Sequence, residues 1–158
     1  MDRVPMSTRC GAIDPGVILY LLDLGITADG VRRMLYEDSG LLGLSGISHD
    51  MRKLLASPAP EAAEAVEVFV YRGGREIGSL SAALGGLDTL VFTAGIGEGS
   101  PEIRQRIAQQ AAWLGLRLDP ARNAAGATEI GVGPVRVLVL PADEELATAE
   151  AVYGLLRS

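Results

Sequence analysis

The chain has 158 residues, of which 48% are hydrophobic and 22% charged, and its 14 Lys and Arg against 20 Asp and Glu give a formal net charge of -6. This length and apolar content support a packed domain without disulfide or metal staples and exclude intrinsic disorder. The acidic balance excludes an extended basic face for nucleic acid or an anionic membrane, so any anionic ligand has to be met by local groups.

Asp14-Pro15 reads as an N-cap followed by proline at the first helical position, and the apolar residues from Val17 to Leu22 predict a short buried helix stopped by Gly25. Thr27 is placed to cap a second helix over 28–36. The run from Gly40 to Ser48 holds three glycines among buried-type residues and is expected to be a packed loop. From Pro60 to Gly85 the apolar residues Val66, Val70, Ile77, Leu80 and Leu84 recur at helical steps, predicting one long helix. Gly73-Gly74 in its middle predicts either a kink or the close approach of another backbone.

Residues 88–93 form a short β-rich run leading into Ala94-Gly95-Ile96-Gly97-Glu98-Gly99, after which Ser100-Pro101 opens a helix that ends at Gly115. The predicted unit is strand, glycine loop, helix. A polar, small-residue segment over 119–128 precedes a second buried strand over 135–140, and Pro141-Ala-Asp143 is expected to cap a last helix from Glu144 to about Leu156. With no internal repeat or low-complexity linker, the chain reads as a single α/β piece. Its longest apolar run, 17–26, is broken by Asp23 and is shorter than the roughly 20 residues of a membrane span. One cysteine, Cys10, and a start without an apolar signal segment point to a reducing cytoplasm.

The strongest chemical signal is the glycine loop, because closely spaced glycines at a helix start present backbone N–H groups and a positive dipole end to a phosphate or the flat face of a nucleotide. It is neither a Rossmann fingerprint, since Ser100 stands at the sixth position from Gly95, nor a Walker loop, since no Gly-Lys-Ser/Thr follows. The alternative is a tight strand-to-helix connection with no ligand. Asp143-Glu144-Glu145, at the end of the second strand, either complements a helix dipole or supplies a carboxylate to Mg²⁺. Arg9 has the planar charged fork suited to a phosphoryl group, or is an ordinary surface arginine. Asp50 and Arg52 flank Met51 and either grip a nucleotide or begin a helix. His49 reads as a loop residue and Cys10 as a small buried one, neither belonging to a catalytic triad pattern.

Taken in order, these stretches resemble the C-terminal part of the acetate kinase family. The resemblance is carried by Met6 to Pro15 around Arg9, by Ser39 to Arg52, by Val68 to Arg72 with Ile77-Gly78, by Val91 to Glu98 with Ser100-Pro101, and by Leu140 to Leu146. It implies a helix-rich partial lobe of an actin-like ATPase (ribonuclease H-like) fold with an incomplete sheet, whose first strands would precede Met1. It also implies transfer of the γ-phosphoryl group of ATP to acetate or another short carboxylate. On the family's pattern Arg9 would stabilise the transferring phosphoryl group, and Asp50, Met51 and Arg52 would contact ATP or ADP. Gly95, Ile96, Gly97, Glu98 and Gly99 would shape the nucleotide pocket, and Glu144 would position Mg²⁺ or Mn²⁺.

This sequence departs from the family at three positions: Gly99 replaces a usual asparagine, Ala12 a common aspartate and Cys10 a serine. Family chains are more than twice this length, and the portion that supplies the carboxylate pocket, a second arginine and the reaction-centre aspartate and histidine has no counterpart here. The expectation is therefore a kinase portion that forms part of a nucleotide site and is inactive alone, partnered by a homodimeric copy or a complementing N-terminal chain. The alternatives are a non-catalytic nucleotide-binding or dimerisation module, and a fragment of a propionate or butyrate kinase.

Overall fold

The structure, a computed structural model, describes residues 4–142 together with Ala149, Val152, Tyr153 and Leu155. Helices α1 (Pro15–Asp23) and α2 (Ala28–Tyr36) come first and pack on each other. Their starts are set by local chemistry. The Asp14 carboxylate accepts from the Gly16 amide at 2.7 Å, and Thr27 Oγ1 accepts from the Gly30 amide at 3.1 Å, each satisfying an amide that has no partner within its helix. The expected burial of α1 is not found: none of its residues is buried, and Leu19 and Tyr20 are more than 60% exposed. Its apolar residues run around the helix instead of along one stripe, so packing on α2 leaves most of them uncovered.

The predicted loop over 40–48 begins as a helix, α3 (Gly40–Ser45). Its first amides bond backward across the chain, Leu41 to the Met6 carbonyl at 2.9 Å and Leu42 to the Ser7 carbonyl at 3.1 Å. These long-range bonds replace a side-chain cap, and Gly46 ends the turn in the left-handed region. Helix α4 (Met51–Ala56) follows, then the 25-residue α5 (Pro60–Leu84), which packs against α3, α4 and α7 (Pro101–Gln110). The helix predicted from Pro60 is present and unbroken at Gly73-Gly74. The close-approach alternative holds, since a β-carbon on Gly74 would stand 2.7 Å from Cβ of Gln110.

Strands β1 (Thr89–Phe92) and β2 (Arg136–Val139) pair in parallel, Thr89 opposite Arg136 and Phe92 opposite Val139. They form the small incomplete sheet that was expected among few strands. Between them the chain forms α6 (Ala94–Gly99), α7, a 3₁₀ turn over Ala112–Leu114 and α8 (Pro120–Ala124). The glycine run thus coils into a short helix where a loop was expected, and the helix expected to reach Gly115 ends at Gln110 before the 3₁₀ turn. Within the segment read only as polar, the Asp119 carboxylate caps α8 by accepting from the Arg122 amide at 2.9 Å. The last helix, expected from Glu144, falls mostly outside the described residues; Ala149, Val152, Tyr153 and Leu155 are helical.

The core lies where α5, α7 and the sheet meet. Val66 and Val70 from α5, Ile103 from α7, Val137 from β2 with Ile130 beside it, and Leu41 and Leu54 from α3 and α4 are each no more than 1% exposed. Burial of each such side chain contributes roughly 1.5 to 3 kcal/mol against the entropy of ordering it. This core fixes the ends of β1 and the starts of α4 and α7 relative to one another.

Candidate functional site

A cleft of about 550 Å³ opens between the start of α4 and the turn after β1. Asp50, Met51 and Arg52 line one side, Gly95, Ile96 and Gly99 the other, with Ser7, His49 and Ser100 completing the wall. Six of the eight residues expected to contact a nucleotide therefore converge, although 42 residues separate Arg52 from Gly95 in the sequence (95 minus 52, less one).

On the α4 side, local hydrogen bonds build the wall. Ser45 Oγ donates to the Leu41 carbonyl at 2.7 Å and accepts from the Ile47 and Ser48 amides, and Ser48 Oγ in turn accepts from the Asp50 amide at 3.1 Å. The Asp50 carboxylate caps α4, accepting from the Arg52 amide at 2.9 Å. It also accepts from Arg52 Nε at 3.2 Å and Nη2 at 3.0 Å, a two-pronged ion pair. The Arg52 guanidinium, chiefly through its hydrogen bond, holds the Asp50 carboxyl below its ordinary value, and Asp50 raises Arg52 in return. Of the two sequence readings of this pair, the structure shows the helix start directly.

The opposite wall is bare backbone. Around the position of a β-carbon on Gly95 or on Gly99 there is nothing within 4 Å, so protein packing demands glycine at neither place. Gly97 and Glu98 do not line the cleft. Gly97 lies against β1, with its would-be β-carbon 3.3 Å from the Phe92 carbonyl carbon. Glu98 turns its carboxylate toward the end of β2, accepting from the Ala142 amide at 3.0 Å. Behind the wall stands Arg104, fully buried on α7, which sequence reasoning missed. Its position between Ile103 and Ile107 gave no sign that the helix carries a cation inward.

Arg9 does not line the cleft, although Ser7 does. Its guanidinium lies 5.7 Å from the centre of the Tyr36 ring, a cation–π contact at the end of α2. The segment around it is fastened to the α2–α3 junction: Thr8 Oγ1 donates to the Tyr36 carbonyl at 2.8 Å, and the Cys10 amide donates to Leu35. A second cavity, of about 440 Å³, lies beneath this segment and is lined by Cys10, Asp38 and Arg72 among others. Cys10 itself is half-buried and a free thiol. Glu144, expected to position a metal, lies outside the described residues. Among the described residues no group of three or more His, Cys, Asp or Glu is arranged to hold a metal ion.

The Acetokinase family matches residues 1–150 of the chain. The chain belongs to the acetokinase family. An acetate kinase from Rhodopseudomonas palustris is 55% identical over 160 residues, which is 98% of this chain and 40% of that protein. Among solved structures, a propionate kinase from Francisella tularensis superposes with a TM-score of 0.86 at 36% identity, covering 94% of this chain and 40% of its own. An acetate kinase from Porphyromonas gingivalis gives the same TM-score at 32% identity, covering 98% of this chain and 41% of its own. The chain thus spans about two-fifths of the length of the acetokinase relatives it matches. These neighbours bear out the helix-rich α/β lobe with an incomplete sheet. No helix among the described residues is long and apolar enough to cross a membrane.

Proposed function

We propose that this chain is the C-terminal portion of a cytoplasmic acetate kinase, and that its cleft is the nucleotide side of an ATP-dependent transfer of a phosphoryl group to acetate. One observation carries the nucleotide assignment. Gly95 faces the cleft with open space where a side chain would stand, while the chain's own packing does not require glycine there. A flat ligand lying directly on the backbone supplies that requirement.

In this reading Asp50, Met51 and Arg52 face the nucleotide from α4, with the Asp50–Arg52 pair presenting a fixed fork at the rim. Gly95, Ile96 and Gly99 form the surface on which it lies, and Gly97 and Glu98 support that surface from behind. Arg9, which lies outside the cleft wall against Tyr36, is assigned to stabilising the transferring phosphoryl group on the family pattern alone. Phosphoryl transfer is governed by alignment and by neutralising charge on the equatorial oxygens, which an acidic chain performs with a few well-placed cations. The chemistry that Mg²⁺ or Mn²⁺ would supply to such a transfer, when bound, is neutralisation of phosphate charge. The described residues supply no cage for the ion, so its protein contact is assigned to Glu144 on the family pattern alone, and no step is derived through it.

The acetate pocket belongs to the remaining three-fifths of the relatives' length, and a homodimeric copy or a complementing N-terminal chain is the expected partner. Two measurements test the reading. Gly95→Ala should leave the urea midpoint unchanged or slightly raised while weakening ADP binding. Unaltered ADP affinity in this variant would remove the assignment. Mixing the chain with a separately expressed N-terminal portion of the relative, in the presence of ATP, Mg²⁺ and acetate, should restore turnover that neither has alone. Failure to restore it favours a non-catalytic nucleotide-binding or dimerisation module. The similarity to a propionate kinase makes propionate the second acceptor to assay in the same mixture.

A further inference from the structure

Arg104 is the largest fully buried side chain among the described residues, and its four hydrogen bonds all go to neutral oxygens. Nε donates to Asn123 Oδ1 at 2.7 Å and Nη2 to the Asn123 carbonyl at 2.7 Å. Nη1 divides between the carbonyls of Gly97 at 2.8 Å and Glu98 at 2.7 Å. Burial pulls its pKa down, yet an arginine starts so high that the charge is kept at neutral pH. A buried cation balanced by carbonyl dipoles alone is a costly way to fill space that a leucine or methionine would fill.

What the cation holds is the backbone behind the cleft. Gly97 and Glu98 lie between Ile96 and Gly99, both of which line it. The same turn starts at Ala94, whose φ of +59° lies in the left-handed region, the one such non-glycine among the described residues. Strain of this kind persists where surrounding contacts over-determine the backbone. Asn123 completes the fastening, its Nδ2 donating to the Pro101 carbonyl at 2.8 Å, so α8, the start of α7 and the turn are joined through one guanidinium.

We infer that Arg104 is a positioning residue for the cleft: it fixes the 94–99 backbone in the shape that receives the nucleotide and sets a permanent positive charge behind that surface. The ligand in this statement rests on the nucleotide reading above, whereas the fixing of the turn does not. The experiment therefore reads both. Hydrogen exchange of the 95–99 amides and binding of N-methylanthraniloyl-ADP are measured on the wild-type chain, on Arg104→Lys and on Arg104→Ala with and without methylguanidinium.

In both variants the turn amides should exchange at least about tenfold faster while α5 amides keep their protection, and ADP affinity should fall by about tenfold. Methylguanidinium, but not methylammonium, should restore both readouts in Arg104→Ala, because only a planar fork reaches the three acceptor residues together. Unchanged exchange at the turn in a folded Arg104→Lys chain would overturn the inference. So would faster exchange spread evenly over the whole chain, or failure of both variants to fold, since either makes Arg104 a general core residue. If the wild-type chain does not bind the ADP probe, the nucleotide reading falls and the exchange result alone still decides whether Arg104 fixes the turn.

Discussion

Gly40 lies directly against Met6: with φ +61°, a β-carbon on it would run into the Met6 carbonyl oxygen and stand 2.9 Å from the Arg9 carbonyl oxygen. The turn that carries Arg9 is thus moulded on a glycine thirty-one positions later in the chain (40 minus 9). Substituting Gly40→Ala should cost about 2 to 4 kcal/mol in urea unfolding, from a strained backbone plus a backbone collision that flexible side chains cannot relieve. Gly46→Ala is the control. Its φ is +63° with nothing within 4 Å, so only the strain of about 1 to 2 kcal/mol should appear.

The contact of α5 with α7 is tested at Gly74. Alanine there gains about 1 kcal/mol of helix propensity but drives a methyl into Cβ of Gln110, an atom tied to the α7 backbone. The net expectation is a loss of about 1 to 2 kcal/mol. Trp113, the only tryptophan, lies just past α7 with its ring 3.3 Å from the β-carbon position of Gly78. Its emission should shift as α7 moves away, whereas an unchanged spectrum with unchanged stability would show that the helices have room to spare.

Asp50 gives a pH prediction with a definite sign. Its folded-state pKa is lowered, chiefly by the Arg52 hydrogen bond, so the folded state binds its proton less readily than the unfolded one. The resulting stability is complete above the ordinary aspartate value of about 3.9 and is lost as the pH falls through the lower folded value. Asp50→Asn should be less stable than wild type at neutral pH and should lose less of its stability on acidification. Parallel urea midpoints for the two proteins across that range would refute the coupling.

At Ala94 the prediction runs the other way. Glycine at φ +59° removes side-chain strain, so Ala94→Gly should raise stability by about 1 kcal/mol. If the strain helps to hold the turn in one shape, the stabilised variant should nonetheless bind ADP no better than wild type. A calorimetric melt and a titration on the same preparation separate the two effects.

The parts of this architecture that were legible in the sequence are those whose chemistry is local. Asp14-Pro15 and Ser100-Pro101 each carry their own cap and proline and Thr27 its own cap, and the structure shows helices starting where those residues stand. The α5 stripe was equally clear because its period repeats over seven turns. Helix α3 was hidden since its first amides bond to Met6 and Ser7, which no window around Gly40 contains. The two walls of the cleft were named from motifs, but the turn of the Glu98 carboxylate toward Ala142 and the buried fork of Arg104 depend on how three elements meet. Asp119-Pro120 carries the same cap-and-proline signature at the start of α8, within a segment otherwise of small and polar residues.

The parallel pairing of β1 with β2 has a kinetic corollary. Arg136 donates its amide to Asp88 and Leu140 donates to Phe92, so the strand that feeds the cleft is locked only after the whole stretch through α8 has been threaded into place. Contacts so distant along the chain form late, after the loop-closure entropy has been overcome. The long α5 and its neighbours α3 and α4 are local by comparison and assemble first. A nascent molecule should therefore acquire its helical spine well before it acquires a surface able to discriminate one small molecule from another.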